Sequence, residues 1–372
     1  MASQYEALLG LSEFEFVMMF RHDLEHNGAW TRQLPRGMES IILKPATAWY
    51  LPRRVRHLYN VGVKQVLDAY NFDAIILHGY FDHLSLWQAI AWCKKHNRPY
   101  LVRTDGNVAK EKGTLRRWWR KIAFGRNLTR AAAMPIMGVQ NRKYYELYGA
   151  NQSQFFMAPW EMDYPQLESA LGEAAPHRQA LRAQLNLPPQ EAVVICVARL
   201  LKLKNIEHII EAVMRVSQEG TAIRLLIAGE GPHRPALEEF IAKTNAPATL
   251  CGNLGRADVI RWMVASDVFV LASQFEAWAL VVNEACLCGL PLVLSDQVGA
   301  APDLLLPGQN GYMFPAGDVD SLAAHLRTLA SDAQLRQRMG QRSRQILSAW
   351  RSEHPAAEGY RRALRYALGL DK

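Results

Sequence analysis

The feature that most constrains this chain is a rhythm in its second half. Residues 192–198 (AVVICVA) form a continuous apolar run, the pattern of a strand buried on both faces. Further runs follow at 224–228, 249–253, 266–272 and 289–296, with helical patterns such as the amphipathic 206–216 between them. Strand and helix alternate about every 25 residues, and that spacing calls for parallel βαβ winding in a doubly wound α/β sheet.

In such a sheet ligands gather where strands end and helices begin, because free amides and the helix dipole converge there. The run at 192–198 ends in Arg199, with Lys204 five residues on, so two cations stand where they could neutralise a diphosphate. Two solvated loop charges are the alternative for that pair. Glu276 lies in the loop after the run at 268–271, and Glu284 lies eight positions further, inside the following helix. Acidic side chains beside an anion site are best explained by hydroxyls to grip, and a sugar joined to a nucleotide supplies both.

These residues, with Gly229-Glu230-Gly231-Pro232, Gly252, Gly289-Leu290-Pro291, Ser295-Asp296, Gly299 and Asn310-Gly311, resemble the retaining glycosyltransferases of family 4. The resemblance is close over about residues 192–325. It implies the GT-B fold, two Rossmann-like domains facing across a cleft. The expected boundaries are 1–163 for an acceptor-binding domain and 164–350 for a nucleotide-sugar domain, with a C-terminal helix in 351–372 crossing back to the first. It also implies transfer of a sugar, with retention, from a UDP- or GDP-sugar to a glycan or lipid-linked acceptor in polysaccharide, lipopolysaccharide or glycolipid synthesis. No cofactor or metal is expected. Arg199 and Lys204 would meet the diphosphate, Glu276 the sugar hydroxyls and Glu284 the ribose. Gly252 and the amides from Trp278 through Ala279 to Leu280 would complete the donor site. The family usually has glycine at the position of Ala279. Alanine there costs little at negative φ and more than about 1 kcal/mol at positive φ; the expectation is an unaffected pocket. The rival from another class is a non-catalytic sugar-nucleotide-binding protein, motivated by this alanine and by the start of the chain.

The first half shows apolar runs at 14–20, 40–43, 74–77, 100–102, 133–137 and 155–158, with helical patterns at 61–70, 84–95 and 141–148. It resembles the family's acceptor domain less sharply. Relatives open with a strand, a glycine-rich loop and a helix before the equivalent of residues 14–20. Here only residues 3–9 precede that run, so the expectation is a reading frame that begins too late. The acceptor-side candidates are Asp105, where relatives often place a histidine nearby, and His78 at the preceding strand's end. Capping or hydrogen bonding is the plainer role for either. The pair Asp318 and Asp320 reads as a helix cap, not a metal site.

At 372 residues the chain fits two domains, and 49% hydrophobic with 21% charged residues describes a globular protein. Its five cysteines lie scattered without zinc spacing and read as packing residues of a reducing, cytoplasmic setting. The net charge of +8 concentrates between Lys110 and Arg130. Leu115, Trp118, Trp119 and Ile122 share a helical face there, and Arg116, Arg117, Arg120 and Lys121 lie largely on the other. The segment admits two readings: a peripheral contact with an anionic membrane, or an apolar stripe packed on the domain's own sheet. Nucleic acid is not expected as a partner, since no recognition motif is present.

Overall fold

Short apolar runs in the first half pair mostly in parallel. Strands β1 (Val17–Phe20) and β2 (Glu39–Ile42) form one pair, and β3 (Lys44–Pro45) meets β4 (Asn60–Val61) in an antiparallel one. β5 (Ile75–His78) pairs with β6 (Tyr100–Arg103), and β7 (Met134–Ile136) pairs with β8 (Phe155–Met157). A bridge at Leu101 and Ala133, with Ala132 N donating to Tyr100 O (2.9 Å), joins these last two pairs into one parallel sheet. The computed structural model describes residues 8–20, 39–45, 60–79, 84–107, 121–122 and 125–371. β1 is shorter than the apolar run at 14–20 because Phe14 N closes a turn on Leu11 O, which sets Phe14 and Phe16 down as packing residues. Of residues 3–9, on which the expectation about the chain's start bears, 3–7 lie outside the described residues.

The chain divides into two units, Met1–Met162 with His354–Lys372, and Asp163–Glu353. In the first, one sheet face packs on helices Val63–Tyr70, Leu84–Lys95 and Val139–Leu147 through Ile90, Trp92, Cys93, Leu128 and Tyr145. Helix Ala356–Leu368 supplies Ala363 and Leu364 against Leu101 and Ala133. Its buried Tyr360, Ala363 and Leu364 follow helical i, i+3, i+4 spacing. It lies so close that a Cβ on Gly359 would stand 1.9 Å from Met157 O. No helix of the described residues is long and apolar enough to cross a membrane.

The second unit carries a six-stranded parallel sheet: β9 (Ala192–Val197), β10 (Ile223–Ala228), β11 (Ala248–Gly252), β12 (Val268–Leu271), β13 (Leu292–Ser295) and β14 (Gly311–Phe314). The strand order is β11-β10-β9-β12-β13-β14. From β9 the chain winds outward through β10 and β11, then returns to place β12 on β9's other side. The loops after β9 and β12 therefore diverge, and a crevice opens between them at the carboxyl edge, the topological switch point of the sheet. The central strands β9, β12 and β13 are buried on both faces, which is why they read as unbroken apolar runs, whereas the edge strands β11 and β14 are partly exposed.

Candidate functional site

The switch point brings together residues that are 72 positions apart in sequence. β9 ends before Arg199, and the short 3-10 turn Lys202–Lys204 follows. The Lys204 ammonium forms an ion pair with the Glu276 carboxylate from the loop after β12, and Ser273 Oγ donates to the same carboxylate (3.0 Å). Their side chains keep only 13% and 17% exposure, so neither charge would be tolerated at this depth without the other. Gln274 ties the two loops further, its N–H to Leu203 O (2.8 Å) and its Nε2 to Asn205 Oδ1 (3.0 Å). Arg199 stands exposed beside them, with no carboxylate in ion-pair range among the described residues.

After Glu276 the chain makes a tight turn into helix Leu280–Cys288. The turn is pinned from outside: Glu276 N donates to Gln297 O (3.1 Å) and Ala300 N donates to Trp278 O (2.9 Å). A Cβ on Gly299 would stand 2.1 Å from Ala277 O, so only glycine lets that loop close on the turn. Val282 N already donates to Ala279 O (2.9 Å), while the amides of Leu280 and Val281 have no backbone acceptor outside the helix among the described residues and could meet an anion. Ala279 sits at φ 82°, ψ 77°, so the costlier of the two backbone cases weighed for this alanine is the one realised. An L-residue at positive φ crowds its Cβ against the backbone and costs about 1–2 kcal/mol. At the helix's far end Arg344 donates to Leu287 O (3.3 Å) and Cys288 O (2.8 Å).

Trp278 offers the crevice only its backbone, because its side chain is buried against Trp350 (ring centroids 5.3 Å apart). Leu280 is half-buried. Glu284 follows one helical turn later with 13% of its side chain exposed. Burial pushes its pKa up to about 7, and Arg256, whose Nε stands 4.0 Å from Oε1, pulls in the other direction. Gly252 closes β11 at φ 75°, four residues before Arg256. Arg256 was invisible as a site residue in the sequence, since nothing near 256 signals a partner on another strand's helix.

The acceptor-side candidates lie in the first unit. His78 ends β5 opposite Arg103 at the end of β6, and its ring stands 5.6 Å from that of Trp160. Asp105 is half-buried; burial raises its carboxyl pKa, and Arg103 opposes that. Its loop is held by Asn141 Nδ2, which donates to Thr104 O (3.0 Å) and Gly106 O (2.8 Å), and by the Tyr145 hydroxyl, which accepts from Thr104 N (2.7 Å). Arg103 is fully buried, donates to Ala158 O, and has the Trp160 and Tyr360 rings 5.1 and 5.3 Å from its guanidinium carbon. Of the basic segment, Arg116, Arg117, Trp118, Trp119 and Arg120 lie outside the described residues, while Lys121 and Ile122 are exposed. Among the described residues no group of three or more His, Cys, Asp or Glu side chains could hold a metal. Asp318 caps helix Val319–Ser331 by accepting from Ser321 N (2.9 Å).

The sheet and its switch point define an α/β protein, and the fold is GT-B. Sucrose-phosphate synthase from Thermosynechococcus elongatus superposes with a TM-score of 0.77 at 21% identity, over 99% of this chain and 92% of that one. Anabaena HepE, solved in complex with UDP and glucose, gives 0.66 at 16% identity over 89% and 86%. Residues 177–346, within the second unit, match the family described as Glycosyl transferases group 1. The sulfoquinovosyl transferase SQD2 of Arabidopsis thaliana is 32% identical over 171 residues, which are 45% of this chain and 32% of that protein. The matches span about a third to a half of the curated relatives' own length.

Proposed function

We propose that the chain is a glycosyltransferase that moves a sugar, with retention, from a nucleotide-sugar donor to a glycan or lipid-linked acceptor. The observation that carries this reading is the Lys204–Glu276 pair at the switch point, beside the free amides of helix Leu280–Cys288. Arg199, Lys204 and those amides would hold the diphosphate as negative charge grows on the leaving group, without a metal. Glu276 would turn from Lys204 toward the sugar hydroxyls, and Glu284 would accept from the ribose. The acceptor oxygen bonds to the anomeric carbon as the carbon–phosphate-oxygen bond breaks; the leaving nucleoside diphosphate keeps the electron pair and takes the acceptor's proton. Asp105 or His78 would orient that acceptor.

UDP is the first donor base to test, in keeping with its presence in the HepE complex. A surface-glycan product accords with the name of WaaG, a glycosyltransferase involved in lipopolysaccharide biosynthesis. A cytoplasmic setting with peripheral contact at an anionic membrane is part of the proposal: Lys94, Lys95, Lys121, Arg126 and Arg130 are all exposed, as is Ile122. One observation favours a second reading, a binding protein without turnover: the positive φ of Ala279 in the phosphate turn. Calorimetric titration with UDP, GDP and ADP, with a metal chelator present, tests the site. Saturable binding of one nucleotide, weakened by Glu284→Ala, supports it; binding of none refutes it. Donor turnover, lost in Glu276→Ala, separates enzyme from binding protein.

A further inference from the structure

The turn that would meet the diphosphate is held from inside by a chain of buried side chains that no donor would touch. Trp278 Nε1 donates to Asn283 Oδ1 (3.0 Å), and Asn283 Nδ2 donates to the Tyr164 hydroxyl (3.1 Å). The order is forced, because an indole N–H can only donate and so claims the amide's oxygen, leaving the amide's nitrogen to face the phenol. Asn283 is fully buried, and Trp278 and Tyr164 retain 5% and 4% exposure. The guanidinium of Arg351 lies 3.6 Å from the centre of the Tyr164 ring, and Trp350 stacks on Trp278 at an interplanar angle of 27°.

A buried asparagine is costly unless both ends of its amide are satisfied, and here one end holds the adjacent turn while the other reaches Tyr164, 119 positions away. Tyr164 is the second residue of the second unit, and Trp350 and Arg351 lie within its last four. The phosphate turn is thus anchored to both places where the chain passes between units. Ala279, strained and directly after Trp278, would relax to negative φ if this anchor were loose.

We propose that Asn283 and Tyr164 are positioning residues of the donor site: through the Trp278 indole they hold the amides at 278–280 at the height that an anionic diphosphate requires. This rests on the donor-site reading above. It assigns nucleotide affinity to two side chains that face away from the nucleotide.

The test measures the affinity of the full chain for whichever of UDP, GDP or ADP the wild type binds, together with Tm. Tyr164→Phe removes one hydroxyl and keeps the ring under Arg351; Asn283→Leu removes both hydrogen bonds. Affinity should fall about threefold and about tenfold respectively, as expected for losing one and two buried hydrogen bonds. Trp278→Phe should match Asn283→Leu, and Tyr164→Phe combined with Trp278→Phe should be no weaker than Trp278→Phe alone, because both act through one linkage. Ser343→Ala is the control: Ser343 Oγ donates to Leu290 O (2.8 Å), buried but away from the turn, so Tm should fall with affinity unchanged. If Tyr164→Phe behaves like that control, the residues are merely structural and the proposal is overturned. If Asn283→Leu does not fold, the Tyr164→Phe and Trp278→Phe cycle decides alone. A wild type that binds none of the three nucleotides removes the donor site itself, and this inference with it.

Discussion

The edge of the second unit's sheet and the corresponding edge of the first unit's handle charge in opposite ways. In the second unit, cation and carboxylate from different loops are already joined, Lys204 to Glu276, with Arg199 left open. In the first unit, Arg103 is turned inward to a carbonyl and two aromatic faces, and burial biases Asp105 toward its neutral form. A ligand carrying two phosphates needs charge held ready, whereas a hydroxyl nucleophile needs a held loop with one polar group. On the proposed reading, in which the second unit holds the donor, the electrostatic preorganisation lies on the donor side.

Exchanging a single acid on each side breaks this comparison most forcefully. Glu276→Ala should lower transfer by about a hundredfold or more, in line with losing one preorganised polar group. Asp105→Asn should lower transfer while leaving the nucleotide dissociation constant unchanged; a shifted constant would show that the roles are not separate. The next largest effect concerns stability. A Cβ on Gly340 would stand 2.0 Å from Gly289 O, and one on Gly359 would stand 1.9 Å from Met157 O. Gly340→Ala should therefore cost the second unit about 1–3 kcal/mol and Gly359→Ala the first, each seen as a separate lowered transition by calorimetry.

Glu284 sharpens the contrast through pH. Its pKa near 7 lies above the ordinary 4.5, so its contribution to stability is complete below about pH 4.5 and is lost as pH rises through 7. Nucleotide affinity runs the other way, because ribose hydroxyls donate best to the ionised carboxylate. The association constant should rise up to about tenfold per pH unit below 7 and level off above it. Titrations at pH 6, 7 and 8 should flatten in Glu284→Gln; an unchanged slope there would assign the dependence to another group. The smallest effect is Ala279→Gly, which should relieve about 1 kcal/mol of strain and raise Tm by about 2–4 °C. A drop in Tm would mean that the positive φ is no burden.

The second unit was largely legible in the sequence because its central strands are buried on both faces and its loops carry charge at strand ends. Runs such as 192–198 need no pattern matching beyond continuity. Lys204 and Glu276 could be named as site residues, but their pairing could not, since it depends on β9 and β12 being neighbours. Arg256 and Asn283 were missed for the same reason, as each acquires its role from a side chain brought up by folding. The φ of Ala279 is set by loops at 297–300 and by Trp278's anchor, which no local propensity encodes. The first unit was less legible because its strands are only two to four residues long, and β5 and β8 are half-buried.

The first unit is interrupted in sequence: residues 163–353 are inserted before helix Ala356–Leu368 completes it. A ribosome releases the chain from its N-terminus, so the second unit can finish folding while that helix is still being made. Leu101 and Ala133, which the helix covers with Ala363 and Leu364, then wait uncovered through the synthesis of about 190 residues. That interval, rather than any weakness of the finished protein, is when the first unit is most open to aggregation and chaperone capture.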